Sequence, residues 1–308
     1  MNIVFSSRIE RAERWFALLK PALPLDRFFA WPEVNGGEVD VALVATPHAG
    51  LFAKLPQLKL VQSIWMGVDP LLADPSFPRH VPLARCIDPG MVAAMCETVL
   101  SHVIDFHRRL YAYRRQQASR NWKKLPQYMA ADRTVGLLGL GELGSTAGAM
   151  LRTLGFHVCG WSRRSRSVIG IESYAGPDGL AQMLPRCDIV VCLLPLTPET
   201  RGILNADTLA LLPEGAAVVN VARGAHLVDA DLLDALDSGR IAQAYLDVFA
   251  TEPLPADHPY WTHPNVFVTP HIAALTEPRT ALAMIVENIN RVRDGQVPAG
   301  LVDVNAGY

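Results

Sequence analysis

The stretch that most constrains this chain is Thr134-Val-Gly-Leu-Leu-Gly-Leu-Gly-Glu-Leu-Gly144. A short buried strand is predicted over residues 134–138, entering Gly139-x-Gly141-x-x-Gly144, and a helix over about residues 145–154 follows. Each glycine has a separate job in such a turn. Gly139 makes the tight bend, Gly141 lets backbone approach a pyrophosphate, and Gly144 lets the helix lie close on the strand. A diphosphate placed there meets free N–H groups at the positive end of the helix dipole. Glu142 and Leu143 lie inside the same turn, with Glu142 expected to point to solvent. Glycines also cluster in ordinary turns, but the strand before and the helix after make this a dinucleotide site.

At 308 residues the chain has room for that unit and a second of ordinary size. Half of it is hydrophobic and 19% charged, which excludes disorder, and a formal net charge of −2 gives no sign of a nucleic-acid or membrane-surface partner. Five cysteines, at 86, 96, 159, 187 and 192, form no CxxC pair and sit mostly in apolar runs, as expected of reduced thiols in a cytoplasmic protein. The first residues, Met1-Asn-Ile-Val-Phe, read as a strand rather than a signal peptide, and no apolar run approaches a membrane span.

Strand-length apolar runs at residues 2–5, 39–45 and 58–64, with a helical pattern at 8–20, predict a parallel α/β sheet before the glycine motif. One long helix is expected over residues 91–115, ending in a basic tract: Arg108, Arg109, Arg114, Arg115, Arg120, Lys123 and Lys124. That tract reads as an anionic-partner surface, a solvated helix face or a subunit contact arm. Further strands are expected at 158–161, 188–194 (the third of this domain), 216–221, 242–248 and 266–268, with helices at 207–212, 229–238 and 278–294. Runs of this kind suit strands covered on both faces. The closing helix follows the nucleotide domain, so two chain crossings would make a hinge and a cleft, a favoured ligand position.

An acidic residue that takes a ribose 2′-hydroxyl is expected about 20 residues past the glycines. The second strand ends instead in Ser162-Arg163-Arg164-Ser165-Arg166. A hydroxyl and guanidiniums suit a 2′-phosphate through charge-assisted, forked hydrogen bonds, so NADP is the expected cofactor, with NAD possible. The seven histidines other than His157 and His271 have no metal-site spacing, no Gly-x-Ser-x-Gly turn is present, and no metal is expected.

Three later stretches, Leu193-Leu-Pro-Leu-Thr-Pro-Glu-Thr200, Val219-Asn-Val-Ala-Arg-Gly224, and Leu246-Asp-Val-Phe-Ala-Thr-Glu-Pro253 followed by Thr269-Pro-His271, form a set. As a set they resemble the D-isomer-specific 2-hydroxyacid dehydrogenases, from about Leu58 to the C-terminus. Trp161-Ser-Arg-Arg164 and Leu232-Leu-Asp-Ala-Leu-Asp-Ser-Gly239 are similar to the bacterial glyoxylate/hydroxypyruvate reductases of that family. The resemblance implies a Rossmann-type doubly wound domain at residues 99–275, and a smaller flavodoxin-like α/β substrate domain at residues 1–98 with 276–308. It also implies a homodimer.

The resemblance matches the family's catalytic Arg, Glu and His to Arg223, Glu252 and His271. Reducing a 2-keto acid needs a hydride and a proton for the developing alkoxide. A histidine is a suitable acid near neutral pH, a carboxylate partner favours its charged form, and an arginine holds the substrate carboxylate and polarises the keto oxygen. By the same resemblance Leu194, Pro195, Thr200, Ala222 and Asp247 line the cofactor beside Arg223 and His271. Trp65-Met66-Gly67 stand where the family usually has Gly-x-Gly to offer N–H groups to the substrate carboxylate. The indole either narrows the pocket or turns into the core. The activity implied is NADPH-dependent reduction of glyoxylate and hydroxypyruvate. The alternatives are another 2-keto acid, or a dinucleotide-sensing interaction protein with little turnover.

Overall fold

A computed structural model describes residues 1–34, 36–305 and 307. The chain divides into two compact units, Met1–Met91 with Leu275–Tyr308, and Val92–Ala274.

In the first unit β1 (Asn2–Ser7), β2 (Arg27–Ala30), β3 (Val41–Ala45), β4 (Leu60–Ser63) and β5 (Leu83–Ala84) form a wholly parallel sheet in the order β2-β1-β3-β4-β5. This is the flavodoxin-like order. The strands are apolar at successive positions because both faces are covered. Ile3, Phe5, Leu43 and Leu60 pack with Trp15 and Leu19 of α1 (Ala12–Ala22) and with Ala281, Ile285 and Ile289 of the closing helix, Pro278–Arg293. Val4, Ala42, Val44 and Val61 face Leu51, Phe52, Val68 and Leu71, the last on the short α2 (Asp69–Leu72). Each fully buried Leu or Ile here contributes on the order of 1.5–3 kcal/mol. Buried Asn288 donates to Gln62 Oε1 at 2.8 Å, so one polar contact fixes the closing helix against β4.

The long helix α3 (Pro89–His107) enters the second unit and is followed by α4 (Leu110–Ala118). Seven parallel strands then alternate with helices: β6 (Thr134–Leu138), α5 (Glu142–Thr153), β7 (His157–Ser162), β8 (Glu172–Ala175), α6 (Gly176–Met183), β9 (Ile189–Cys192), α7 (Ala206–Ala210), β10 (Ala216–Asn220), α8 (Asp229–Asp237), β11 (Ile241–Leu246) and β12 (Val266–Val268). Their order is β12-β11-β10-β9-β6-β7-β8, so the winding reverses between β6 and β9. Ligands of such sheets bind outside the carboxyl ends of the strands at that reversal.

Three expectations are corrected. The strand near residues 188–194 is the fourth of its sheet, because Glu172–Ala175 forms an edge strand with no apolar run to announce it. In the first unit β2 and the two-residue β5 are also edge strands, and neither is among the expected strands. The helix expected over residues 91–115 is two helices, broken where Arg109 takes a left-handed backbone, φ 57°. Phe106 and Tyr111 stack across the break and Arg114 forks onto Asp105 at 2.7 and 2.9 Å. Arg115 donates to Pro264 O and Arg109 lies over Tyr128, so these three arginines of the basic tract are engaged within the chain.

Candidate active site

The candidate residues of the second unit lie at the carboxyl ends of its strands, in the loops there or at the helix start and strand end that flank them. The glycine turn follows β6, residues 162–166 end β7, 193–200 follow β9, 221–226 follow β10, 247–252 follow β11 and 269–273 follow β12. In a parallel sheet these loops emerge on one edge.

The three glycines differ in what demands them. Gly139 has φ 109°, and a Cβ there would lie 2.9 Å from Leu193 O. A Cβ on Gly144 would stand 1.8 Å from Gly139 O, so the fold itself requires both. A Cβ on Gly141 would meet nothing within 4 Å. No side chain caps α5, and among the described residues the N–H groups of Gly141, Glu142 and Leu143 have no acceptor. Open space over unanswered N–H groups at a helix N-terminus fits a dinucleotide diphosphate. Glu142 is exposed, as expected.

At the end of β7, Ser162 Oγ donates to Arg164 O at 2.7 Å, which curls the loop. Arg163 lies 3.9 Å from Glu199, Arg164 is exposed, and Arg166 donates to Leu140 O in the glycine turn at 3.1 Å. Arg166 thereby ties this loop to the turn.

Residues 193–200 form a braced loop. Thr200 is buried, its hydroxyl donating to Pro195 O at 2.8 Å and accepting from the Thr197 N–H at 2.9 Å. Leu194 and Ala222 are also buried and belong to the apolar core.

The candidate acid–base pair is assembled from two loops. His271 Nδ1 and Glu252 Oε2 are 2.8 Å apart, and Glu252 Oε1 accepts the Phe249 N–H at 2.9 Å. Burial pushes the Glu252 carboxyl upward. The hydrogen bonds from His271 and Phe249, with the charges of His271 and Arg223, outweigh this and hold it below the ordinary carboxylate range. His271 has φ 54°, a conformation uncommon for a non-glycine residue. Asp247 explains how it is kept. Its buried carboxylate accepts from Thr269 Oγ1 at 2.6 Å and the Ile272 N–H at 2.9 Å on one oxygen, and from the Ala273 N–H at 2.8 Å on the other. The His271 N–H donates to Asp247 O at 2.8 Å. Asp247 thus anchors both sides of His271.

Arg223 stands at the end of the β10 loop. Buried Asn220 shapes that loop, donating to Arg223 O at 3.0 Å and accepting from the Ala222 N–H at 3.2 Å. A Cβ on Gly224 would lie 1.9 Å from the Phe249 carbonyl carbon, so this glycine lets the Arg223 loop touch the loop that leads to Glu252. Asn220, Gly224 and buried His226 are missing from the residues expected at the site. Asn220 and Gly224 lie within the quoted stretch, but their roles depend on neighbours distant in sequence.

In the first unit, Trp65 is half-buried against the core of that unit, and its carbonyl accepts from Ser63 Oγ at 2.8 Å and the Cys86 N–H at 3.1 Å. Among the described residues, the Met66 and Gly67 N–H groups just beyond it have no acceptor.

A doubly wound domain with an open diphosphate cradle and a histidine–carboxylate pair at one sheet edge defines a dinucleotide-dependent oxidoreductase. Comparison with known proteins narrows the class. The family described as D-isomer specific 2-hydroxyacid dehydrogenase, NAD binding domain, matches residues 100–273. The glyoxylate/hydroxypyruvate reductase A of Serratia proteamaculans is 42% identical over the whole of both chains. The structure is similar to a D-isomer specific 2-hydroxyacid dehydrogenase of Xanthobacter autotrophicus solved with NADPH, at 42% identity and TM-score 0.97, covering 100% of this chain and 99% of that one. It is also similar to the NADPH-dependent glyoxylate/hydroxypyruvate reductase of Sinorhizobium meliloti solved with NADP and sulfate, at 37% identity, TM-score 0.94 and the same coverage. The chain belongs to the D-isomer specific 2-hydroxyacid dehydrogenase family.

Proposed function

We propose that this chain reduces small 2-keto acids with NADPH, taking glyoxylate to glycolate and hydroxypyruvate to D-glycerate. The observation that carries the reading is the His271–Glu252 pair at 2.8 Å, held on a backbone anchored by Asp247. The names of the Serratia and Sinorhizobium relatives support the substrate class. Ser162, Arg163 and Arg164, with no carboxylate at the end of β7, support the 2′-phosphate preference, as do relatives solved with NADPH or NADP.

Gly139, Gly141, Glu142, Leu143 and Gly144 would hold the diphosphate, and Leu194, Pro195, Thr200 and Ala222 would line the rest of the cofactor, largely through backbone. Bound NADPH supplies the hydride that adds to C2 of the keto acid. With Nδ1 engaged by Glu252, His271 presents Nε2 and gives its proton to the oxygen that becomes the alcohol. A positioned acid of this kind contributes about 10²–10⁴-fold. Arg223 holds the substrate carboxylate and polarises the keto oxygen; the family resemblance is what gives Trp65, Met66 and Gly67 a substrate-binding role. Asp247 acts on His271 by orienting it.

The working form in this reading is a cytoplasmic homodimer, with residues 1–98 and 276–308 serving the substrate and 99–275 the cofactor. Supporting a dimer, Trp122 and Met129 are exposed on the segment after α4. Loss of NADPH absorbance with glyoxylate, hydroxypyruvate and pyruvate, repeated with NADH, tests the function. Fast NADPH oxidation with the first two is expected. Turnover of none of them alongside tight NADPH binding would overturn the reductase, and a clear NADH preference would overturn only the cofactor assignment.

A further inference from the structure

His226 is completely buried at the end of the short turn Gly224–His226, three residues past the proposed substrate arginine. Its Nε2 lies 3.2 Å from Pro195 O and its Nδ1 lies 3.2 Å from Arg223 O. One ring therefore spans the loop proposed to line the cofactor and the loop proposed to clamp the substrate.

The acceptors decide how the ring is protonated. A carbonyl oxygen only accepts, and it has two lone pairs. Arg223 O already takes the Asn220 Nδ2 donor at 3.0 Å and the His226 backbone N–H at 3.2 Å. Pro195 O takes the Thr200 hydroxyl at 2.8 Å and has a second lone pair for Nε2. If the ring carries one proton, Nε2 is the better-served position, because Pro195 O has the free lone pair while Arg223 O already takes two donors. The backbone repeats the same link, because the Gly202 N–H donates to Ala225 O at 2.9 Å and the Leu204 N–H to His226 O at 2.9 Å. These contacts also fix where Arg223 begins, since its carbonyl is held from Asn220 on one side and His226 on the other.

We infer that His226 is a positioning residue that locks the Pro195 loop to the Arg223 loop through an Nε2–H···O bond, so that cofactor placement and substrate clamping are set together. Its effect on turnover rests on the reductase reading, whereas its effect on cofactor affinity does not.

The test compares His226→Leu, which keeps the volume and loses the donor, with His226→Gln, which keeps an N–H donor. NADPH affinity is read by quenching of protein fluorescence, kinetics are read with glyoxylate, and the tautomer is read by ¹⁵N NMR of histidine-labelled protein. His226→Leu is expected to weaken NADPH binding about tenfold and to lower kcat by about ten- to a hundredfold, because a hydrogen bond is lost and the clamp shifts. His226→Gln is expected to recover most of both. The wild-type ring should show the Nε2–H tautomer. A His226→Leu protein with wild-type NADPH affinity and kcat, changed only in melting temperature, would overturn the inference, as would a ring protonated on Nδ1 alone. If no keto acid is turned over, the function reading fails, and NADPH affinity with the NMR signature still decides the role of His226.

Discussion

The two sheets are both wholly parallel, yet the loops at their strand ends are secured differently. In the second unit the loops are cross-braced by buried polar side chains: Asp247 anchors the His271 loop, Asn220 shapes the Arg223 loop, and Thr200 and His226 converge on Pro195 O. In the first unit the loop after β4 is held at its start, where Ile64 N–H donates to Val44 O and Trp65 bonds Ser63 and Cys86. Beyond that point the Met66 and Gly67 N–H groups have no acceptor among the described residues. The difference follows the chemistry proposed for each. Proton transfer requires a donor fixed to a fraction of an ångström, and fixation takes satisfied buried hydrogen bonds. A carboxylate is taken by backbone donors, which must be left open to receive it.

The sharpest way to break the comparison is at His271. Replacing it with alanine should lower kcat about 10²–10⁴-fold while NADPH affinity, measured by equilibrium titration, stays nearly unchanged. A parallel loss of affinity would mean that His271 chiefly supports the cofactor. Next is Asp247→Ala, which strands the Thr269, Ile272 and Ala273 donors. At about 1–3 kcal/mol per unsatisfied buried group, denaturant unfolding should show a loss of roughly 3 kcal/mol or more, with kcat falling as His271 loses its support. An unaltered stability would show that bracing is not what separates the two units.

Replacing Arg163 and Arg164 together by alanine should reduce the NADPH-over-NADH preference by about ten- to a hundredfold, read from kcat/KM with each cofactor, since hydrogen bonds between charged groups are at stake. Trp65→Leu addresses the first unit. Its half-buried indole packs on the core, so melting should drop by the equivalent of about 1–2 kcal/mol, and NADPH affinity should not move. A gain in turnover of bulkier keto acids would instead mean that the indole also bounds the pocket.

The smallest effect concerns pH. Glu252 is held below the ordinary carboxylate value in the folded protein, because hydrogen bonds from His271 and Phe249 outweigh its burial. Its stabilising contribution is therefore full above the unfolded carboxylate value and is lost as pH falls through the lowered folded value. Glu252→Gln should flatten the acid-side decline of melting temperature and leave the neutral region little changed in slope. The carboxylate is over a third exposed, so solvent screening keeps this effect modest.

Much of this was legible in the residues themselves. The strand–glycine–helix run gave the cofactor cradle, and long apolar runs gave the central strands. The edge strand Glu172–Ala175 was not legible, because an edge strand is half solvated and needs no apolar run, and Arg27–Ala30 holds only three apolar residues. The break at Arg109 was hidden too, since no glycine or proline marks it.

By itself, the sequence determined the two parallel α/β units, the glycine turn proposed to receive a diphosphate, and the family to which Arg223, Glu252 and His271 point. Glycines and apolar runs act on their immediate neighbours, so their meaning survives without coordinates. The pairing of Glu252 with His271 was expected from the resemblance, and the tertiary structure supplied its 2.8 Å contact; only the tertiary structure decided that Asp247 is an anchor with both oxygens occupied and that His226 bridges to Pro195 across 31 residues. Those facts are hydrogen bonds between loops from different strands, and their geometry exists only once the sheet has set the strand ends side by side.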